Sequence, residues 1–293
     1  MPLTRLKYWF LATRPKTLSA GVAPVIVGLC LANPYTSVSN LYALITIICS
    51  LLIQIGTNYA NDYYDFKKGA DTSLRKGPMR MAQSGHINPT HLKWGSIGVF
   101  AMAFLLGLAL VYKGGLPILA IGIISIICGF LYTAGPLALA YIGLGDIFAL
   151  IFFGPVAVGG TYYIQMGSIS WPVIIVGLGI GLLSTALISV NNIRDFEEDK
   201  HSNKKTLIVR FGKDFGYFEY SLCLCLSNII LITHTYQRPI AWAALIPYSL
   251  LSLHLAYKLL ANKAPLNSIL AQTGFLITCY AIIILLTYSY PLL

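Results

Sequence analysis

Charge is scarce in this sequence, and negative charge scarcest. Only 10% of the 293 residues are charged, and just ten are acidic. A soluble domain carries about a quarter of its residues as charges. This chain is 57% apolar with a mean hydropathy of +0.73, which excludes a soluble globular protein and predicts an integral membrane protein. Cysteine is sparse as well. Cys30, Cys49, Cys128, Cys223, Cys225 and Cys279 are scattered through apolar stretches, and Cys223 and Cys225 would face different ways on a helix. They read as small core hydrophobes with no disulfide or metal role. The first apolar run lacks an Ala-x-Ala-like exit, so it is expected to stay as a first membrane helix and not to leave as a signal peptide. The net charge of +10 could suggest nucleic acid, but the Lys and Arg residues fall in a few loops and one terminus, so no nucleic-acid partner is expected.

What the chain has in quantity is long apolar windows, each of about 18–24 residues, set between Pro, Gly, Asn or charge. They predict an all-α fold, a single domain over 1–293 built as a bundle of nine transmembrane helices. The spans fall near 17–32, 40–62, 92–112, 115–132, 143–164, 171–193, 215–235, 239–259 and 267–288. The narrowest division is Lys113-Gly114-Gly115, between the third and fourth spans. With nine spans, all of the 20 basic residues except Lys113 and Arg238 fall on one side. The positive-inside rule then places the N-terminus and the acid-bearing loops in the cytoplasm and the C-terminus outside, across the inner (cytoplasmic) membrane. Gly177-x-x-x-Gly181 reads as a site of close helix packing.

Seven of the ten acids lie in two segments, Asn58–Asp71 and Asn191–Asp199. Each segment closes an apolar span and opens a long basic loop, which hints at an internal repeat. Carboxylates at the edge of hydrocarbon are costly and mark functional sites. At about 100° per residue, Asn58, Asn61, Asp62 and Asp65 share one face, with Gln54 on the same side; Asn191, Asn192, Asp195 and Asp199 share another. Oxygen donors of this kind suit a hard cation such as Mg²⁺, and the neighbouring lysines and arginines supply the counter-charge of a diphosphate. Two other readings remain: solvated helix ends, and a membrane transporter. A transporter would carry its acids mid-span, whereas Asp146, the nearest candidate, sits at a span end.

Asn61-Asp62-Tyr63-Tyr64-Asp65 with Asp71, and Asp195-Phe196-Glu197-Glu198-Asp199, resemble the two aspartate-rich motifs of the UbiA superfamily of intramembrane prenyltransferases. Further pieces resemble its 1,4-dihydroxy-2-naphthoate prenyltransferase branch. They are Arg14-Pro15-Lys16-Thr17-Leu18, Lys68-Gly69-Ala70-Asp71, Gly77-Pro78-Met79-Arg80 with Gln83 and Gly85, Tyr132-Thr133-Ala134-Gly135-Pro136 with Tyr141-Ile142-Gly143-Leu144-Gly145, and Asn191-Asn192-Ile193-Arg194-Asp195 with Lys204, Thr206 and Arg210-Phe211-Gly212. The sequence departs from the branch at Asn203, where glycine is usual, and at Asp146, where glutamate is expected. The third acid of the wider superfamily's first motif falls at Gly69, with Asp71 two residues on.

The resemblance implies a UbiA-like fold and Mg²⁺-dependent transfer of a polyprenyl group from polyprenyl diphosphate to 1,4-dihydroxy-2-naphthoate, releasing CO₂ and diphosphate. Alternatives are transfer to 4-hydroxybenzoate or another aromatic acceptor, and phytyl transfer. It implies that Asp62, Asp65, Asp195 and Asp199 are catalytic, and that they hold two Mg²⁺ ions together with Asn61 and Asp71. Asn58 and Asn192 support them, and Lys68, Arg75, Arg80, Lys204 and Lys205 are candidates for phosphate oxygens. Tyr141 and Asp146 join the substrate-binding set. Arg14 and Lys16 read either as basic anchors or as contacts to the acceptor carboxylate or diphosphate. Tyr63, Tyr64 and Phe66 read either as interfacial anchors or as shields for a carbocation.

Overall fold

The computed structural model describes residues 2–70 and 77–289, and among them every regular element is helical. Helix α1 (Pro2–Ala12) meets α2 (Pro15–Ala32) at a 53° bend, where Arg14 takes a left-handed conformation (φ 55°). Pro15 at the first position of α2 has no N–H to leave unbonded, so it starts the helix at no cost. Helix α3 (Asn40–Lys67) runs unbroken for 28 residues to the first acidic segment.

Helix α4 (Pro89–Leu131) has 43 residues. Laid straight it would measure about 65 Å, roughly twice the hydrocarbon core of a bilayer. It breaks at Gly115 (φ 67°, ψ −157°), a conformation open only to glycine, with Pro117 two residues on. Phe100 lies against Gly129, and Phe104 shares a hollow with Ile123 and Ile126, so the two halves fold back alongside each other.

Helix α5 (Gly145–Ile151) passes through a wide turn at Phe152–Val156 into α6 (Ala157–Met166). Pro155 lies in that turn and supplies no amide, and Gly154 leaves helical geometry (φ −111°, ψ −113°). Helix α7 (Trp171–Arg194) is the most buried span and packs against α2, α5, α10 (Lys213–Thr235) and α12 (Leu266–Ser289). A Cβ on Gly181 would collide with the Leu150 carbonyl, and one on Gly177 would stand 3.0 Å from Pro155 Cα. The Gly-x-x-x-Gly pair therefore lets two backbones touch, as its spacing predicts. Two short helices, α8 (Phe196–His201) and α9 (Leu207–Phe211), link α7 to α10, and α11 (Pro239–Leu260) completes the bundle. Cys223 is buried and Cys225 exposed on α10, and all six cysteines are free.

Seven helices among the described residues are long and apolar enough to cross a membrane, and the bent α1–α2 pair raises this to eight. The expected nine differs because α4 carries two of the expected spans, one on each side of the Gly115 break, and because α2 reaches span length only with α1.

Three connections meet at one end of the bundle. Lys68 Nζ donates to the Thr133 and Gly135 carbonyls (2.7 and 3.0 Å), tying the end of α3 to the loop after α4. The Lys205 amide donates to the Tyr141 carbonyl (3.0 Å), and Arg210 Nη2 to the Ile142 carbonyl (2.9 Å), which ties the loop after α7 to that same loop. Those ties place both acidic segments at one end.

Candidate active site

The first segment stays on α3, and Asn58, Asn61, Asp62 and Asp65 are all buried, so the polar stripe faces inward. Each member is held from a different direction. Asn58 Nδ2 donates to the Thr13 carbonyl (2.9 Å), and Asn61 Oδ1 accepts from Thr133 Oγ1 (2.8 Å). Asp62 accepts the backbone amides of Met81 (2.9 Å) and Ala82 (3.1 Å). Asp65 accepts Arg80 Nη2 and the Tyr141 hydroxyl, both at 2.9 Å. The residues that deliver Met81 and Ala82 are packed down by a small apolar cluster of Ala12, Tyr59, Met81, Ala82, Ile87 and Leu92. Tyr8 of α1 stacks on His86 with ring centroids 4.0 Å apart, closing the cover from above.

The second segment leaves the helix. Helix α7 ends at Arg194, Asp195 adopts a bridge conformation (φ −92°, ψ 10°), and α8 restarts at Phe196. The Asp199 amide still donates to the Asp195 carbonyl (2.8 Å), which keeps the two acids one turn apart. Arg194 grips Asp195 through Nε and Nη2, both at 2.7 Å, and reaches Asn191 and Asn267 as well, binding the head of α12 to the site. Lys204 Nζ donates to Asp199 Oδ1 (3.2 Å). Its own amide donates to the Asp199 carbonyl (2.9 Å), across a turn in which Asn203 is left-handed (φ 55°).

Burial pushes the Asp199 carboxyl up to about 6; Lys204 opposes the rise and Asp195 adds to it. Desolvation pulls the Lys204 ammonium down, but Asp199, Asp65 and Asp195 more than offset that and hold it above the usual lysine value.

A cavity of about 400 Å³ opens from this end into the bundle. Its polar end is lined by Arg14, Asn58, Asn61, Arg80, Asp195 and Lys204 from the sequence-predicted set, together with Thr17, Tyr132, Asn191 and Arg194. The rest of its wall is mostly apolar, including Ile53, Phe104, Leu108, Ile126, Phe148 and Phe153. Asp62, Asp65 and Asp199 are buried behind that lining, and Lys68 and Tyr141 tie loops beside it, the Lys68 ammonium lying 4.0 Å from the Tyr141 ring centre. Lys205 is exposed and joins through its backbone, and Asn192 is buried off the cavity, its neighbour Asn191 lining it instead. Asp146 is buried in the first turn of α5, its Oδ1 without a hydrogen-bond partner. Asp71 and Arg75 lie outside the described residues, as does the side chain of Lys16.

Sequence reasoning assigned no site role to Arg194, Tyr132, Thr133 or Asn267, and set Asn191 on the polar stripe without one. Arg194 carried a signal: it stands between Asn191 and Asp195, yet a basic residue at a helix end reads first as an orientation charge.

The donor set fits a hard cation. Asp199 Oδ2 is buried with no hydrogen-bond partner, so beside the Lys204 ion pair one carboxylate oxygen is left open to a cation. Among the described residues no three His, Cys, Asp or Glu side chains converge tightly enough to enclose a metal alone. Mg²⁺ needs no such cage, since it takes one or two carboxylates and fills its octahedron with water and substrate phosphate.

An apolar membrane cavity with an anionic, amide-rich and partly basic mouth defines an intramembrane enzyme for substrates with a charged head and a hydrocarbon tail. The profile of the UbiA prenyltransferase family matches residues 21–280. The chain belongs to that family and is a prenyltransferase. It is 37% identical over 247 residues to a 1,4-dihydroxy-2-naphthoate octaprenyltransferase from Haemophilus influenzae, covering 81% of this chain and 80% of that one. The Escherichia coli enzyme of the same name is 37% identical over 234 residues, covering 78% and 76%. A UbiA homolog from Archaeoglobus fulgidus, solved bound to DMAPP and Mg²⁺, superposes with a TM-score of 0.67 over 97% of this chain and 99% of that one at 17% identity.

Proposed function

We propose that this enzyme transfers a polyprenyl group from polyprenyl diphosphate to 1,4-dihydroxy-2-naphthoate, with loss of CO₂ and diphosphate, in menaquinone biosynthesis. The observation that carries the reading is the cavity itself, where charged and amide side chains gather at one end and the remaining wall is mostly apolar. The relatives named for this reaction support the choice of acceptor.

The diphosphate head sits at the polar mouth, between the Asp62/Asp65 and Asp195/Asp199 segments. Asn61, Asp62, Asp65, Asp195 and Asp199, with Asp71, would hold two Mg²⁺ ions; the homolog solved with DMAPP and Mg²⁺ supports a Mg²⁺-dependent transfer. Mg²⁺ held there supplies neutralisation of the charge that grows on the departing diphosphate. Arg80, Lys204 and Arg14 line the same mouth and face the phosphate oxygens. Heterolysis of the allylic C–O bond gives the electron pair to diphosphate. The electron-rich ring carbon bonds to the freed allylic carbon, and the C–CO₂⁻ bond pair returns to the ring as CO₂ leaves. The cover of α1 and residues 77–88 keeps water from the cation.

The break at Gly115 makes two crossings of α4, and the α1–α2 pair adds one, which supports nine crossings in all. The basic loops then put the site on the cytoplasmic face of the inner membrane, with the C-terminus outside.

The test is an assay of purified protein with Mg²⁺, a polyprenyl diphosphate, and either dihydroxynaphthoate or 4-hydroxybenzoate, read by mass spectrometry. Prenylated product with CO₂ from the naphthoate is expected. Product from hydroxybenzoate without CO₂ overturns the acceptor, and product from neither overturns the transfer reading. Chelating Mg²⁺ stops turnover and adding it back restores it; turnover that survives chelation removes the metal from the mechanism.

A further inference from the structure

Helix α1 turns one side to the site and exposes the other. At about 100° per residue, Tyr8, Trp9 and Ala12 share the inner side, and Leu6, Lys7, Phe10 and Leu11 the outer. Tyr8 stacks on His86, Trp9 meets the Tyr59 ring edge-on at 5.2 Å, and Ala12 is buried. Just past the helix, the Thr13 carbonyl accepts from Asn58 Nδ2 (2.9 Å). On the outer side Leu6 is 69% exposed and Phe10 60%, with Lys7 and Leu11 exposed beside them and Arg5 exposed in the turn before. The helix carries no acid. A neighbour fixes its depth. Trp9 rests on Gly95 of α4, where a Cβ would stand 2.9 Å from its ring. Trp94, one residue back, is 61% exposed, and the Lys93 ammonium lies 5.5 Å from its ring centre. An exposed Trp beside a Lys at the end of an apolar span marks the headgroup layer of a bilayer. Helix α1 therefore lies at headgroup level, turned 53° from α2.

We propose that the outer side of α1 binds anionic phospholipid headgroups of the membrane surface, and that this contact holds α1 down as part of the cover over the active site. Leu6, Phe10 and Leu11 enter the acyl boundary while Arg5 and Lys7 meet the negative headgroups, the division of labour of an interfacial helix. Each cation near an anionic surface strengthens such a contact about fivefold. A surface without net negative charge keeps the apolar part of the contact and loses the part that depends on Arg5 and Lys7. Helix α1 then lifts more readily. It takes with it the Tyr8 stack on His86 and the Trp9 packing on Tyr59, so the cover and the Asn58 side of the site loosen together. Turnover becomes a function of membrane charge.

The test places the full chain in nanodiscs of phosphatidylcholine alone, or of phosphatidylcholine with an equal part of phosphatidylglycerol. Turnover is expected to be about fivefold higher in the anionic discs. Arg5→Gln with Lys7→Gln should turn over equally in both, whereas Arg5→Lys with Lys7→Arg keeps the gain. That rescue separates charge from mere structure. A gain that survives in the glutamine pair comes from membrane charge acting elsewhere, and it overturns the proposal. Equal turnover of the unaltered protein in the two discs overturns it as well. A second readout needs no turnover: benzoylphenylalanine placed at position 10 and irradiated in the mixed discs should form lipid adducts enriched in phosphatidylglycerol. Adducts in the proportion of the bulk lipid, or adducts to protein in place of lipid, overturn the binding independently of the reaction.

Discussion

The two acidic segments have similar composition and opposite construction. The first rides an unbroken helix, and its carboxylates are satisfied from outside. Asp62 takes two loop amides, and Asp65 takes Arg80 and Tyr141, from 15 and 76 residues along the chain. The second breaks its helix at Asp195 and is satisfied mostly from within, by the adjacent Arg194 and by Lys204 five residues beyond Asp199. The first segment is thus locked by tertiary structure, so it fixes where the loops sit. The second is a local device with a spare carboxylate oxygen on Asp199, so it can take up a cation.

That contrast predicts unequal stability costs for equal losses of activity. Asp65→Ala leaves the Arg80 guanidinium buried beside a missing partner, and its side-chain exposure of 7% gives water little access. Stripping one member of such a pair costs about 3–5 kcal/mol. Asp199→Ala strands only the more accessible Lys204 and removes an acid already crowded by Asp195, for about 1–3 kcal/mol. Both variants should lose turnover. Thermal unfolding in detergent measures the difference, and an Asp199 variant less stable than the Asp65 variant would break the comparison.

Arg194→Lys sharpens it from the other side. A lysine keeps the charge but loses the fork that holds both oxygens of Asp195 while reaching Asn267 on α12. The expected cost is about 1.5–3 kcal/mol, the worth of a hydrogen bond to a charged partner, with a matching fall in turnover. If Arg194→Lys is silent in both readouts, the second segment is not held by its own arginine, and the local construction argued for it is wrong.

How much of this was written in the chain follows the same divide. The inward stripe of α3 was legible because an uninterrupted helix keeps its period, so Asn58, Asn61, Asp62 and Asp65 share a face. The break in α4 was legible in Lys113-Gly114-Gly115, and the close approach at α7 in its paired glycines. The break at Asp195 was not, because Arg194-Asp195-Phe196 contains no Gly or Pro to announce it. Nor were Thr133, Tyr141 and Arg80 as partners of the first segment, since contacts that span a loop leave no periodic trace. The span count diverged at the α4 break and at the α1–α2 bend, where a span's ends are a matter of geometry and not of composition.

The smallest expected effect concerns how each segment turns away. The first closes on Gly69 (φ 69°) and the second on Asn203 (φ 55°), so both need one left-handed residue directly after the acids and their helix. Asparagine tolerates that conformation because its short amide can bond locally, which is why Asn203 can stand in a place where glycine is usual. The two residues should then be exchangeable: Gly69→Asn and Asn203→Gly are expected to shift stability by less than about 1 kcal/mol and to leave turnover intact. A β-branched residue has no such latitude, so Gly69→Val and Asn203→Val should each cost about 1–2 kcal/mol. Nothing lies within 4 Å of a Cβ built on Gly69, so at that position the cost isolates backbone strain from crowding. Equal unfolding temperatures for the valine and asparagine variants at Gly69 would mean that the turn relaxes out of the left-handed region. The Ala70 amide bond to the Asp65 carbonyl (2.9 Å) would then be lost at no cost to the segment. A measurable gap means the turn is part of what holds Asp65 in place.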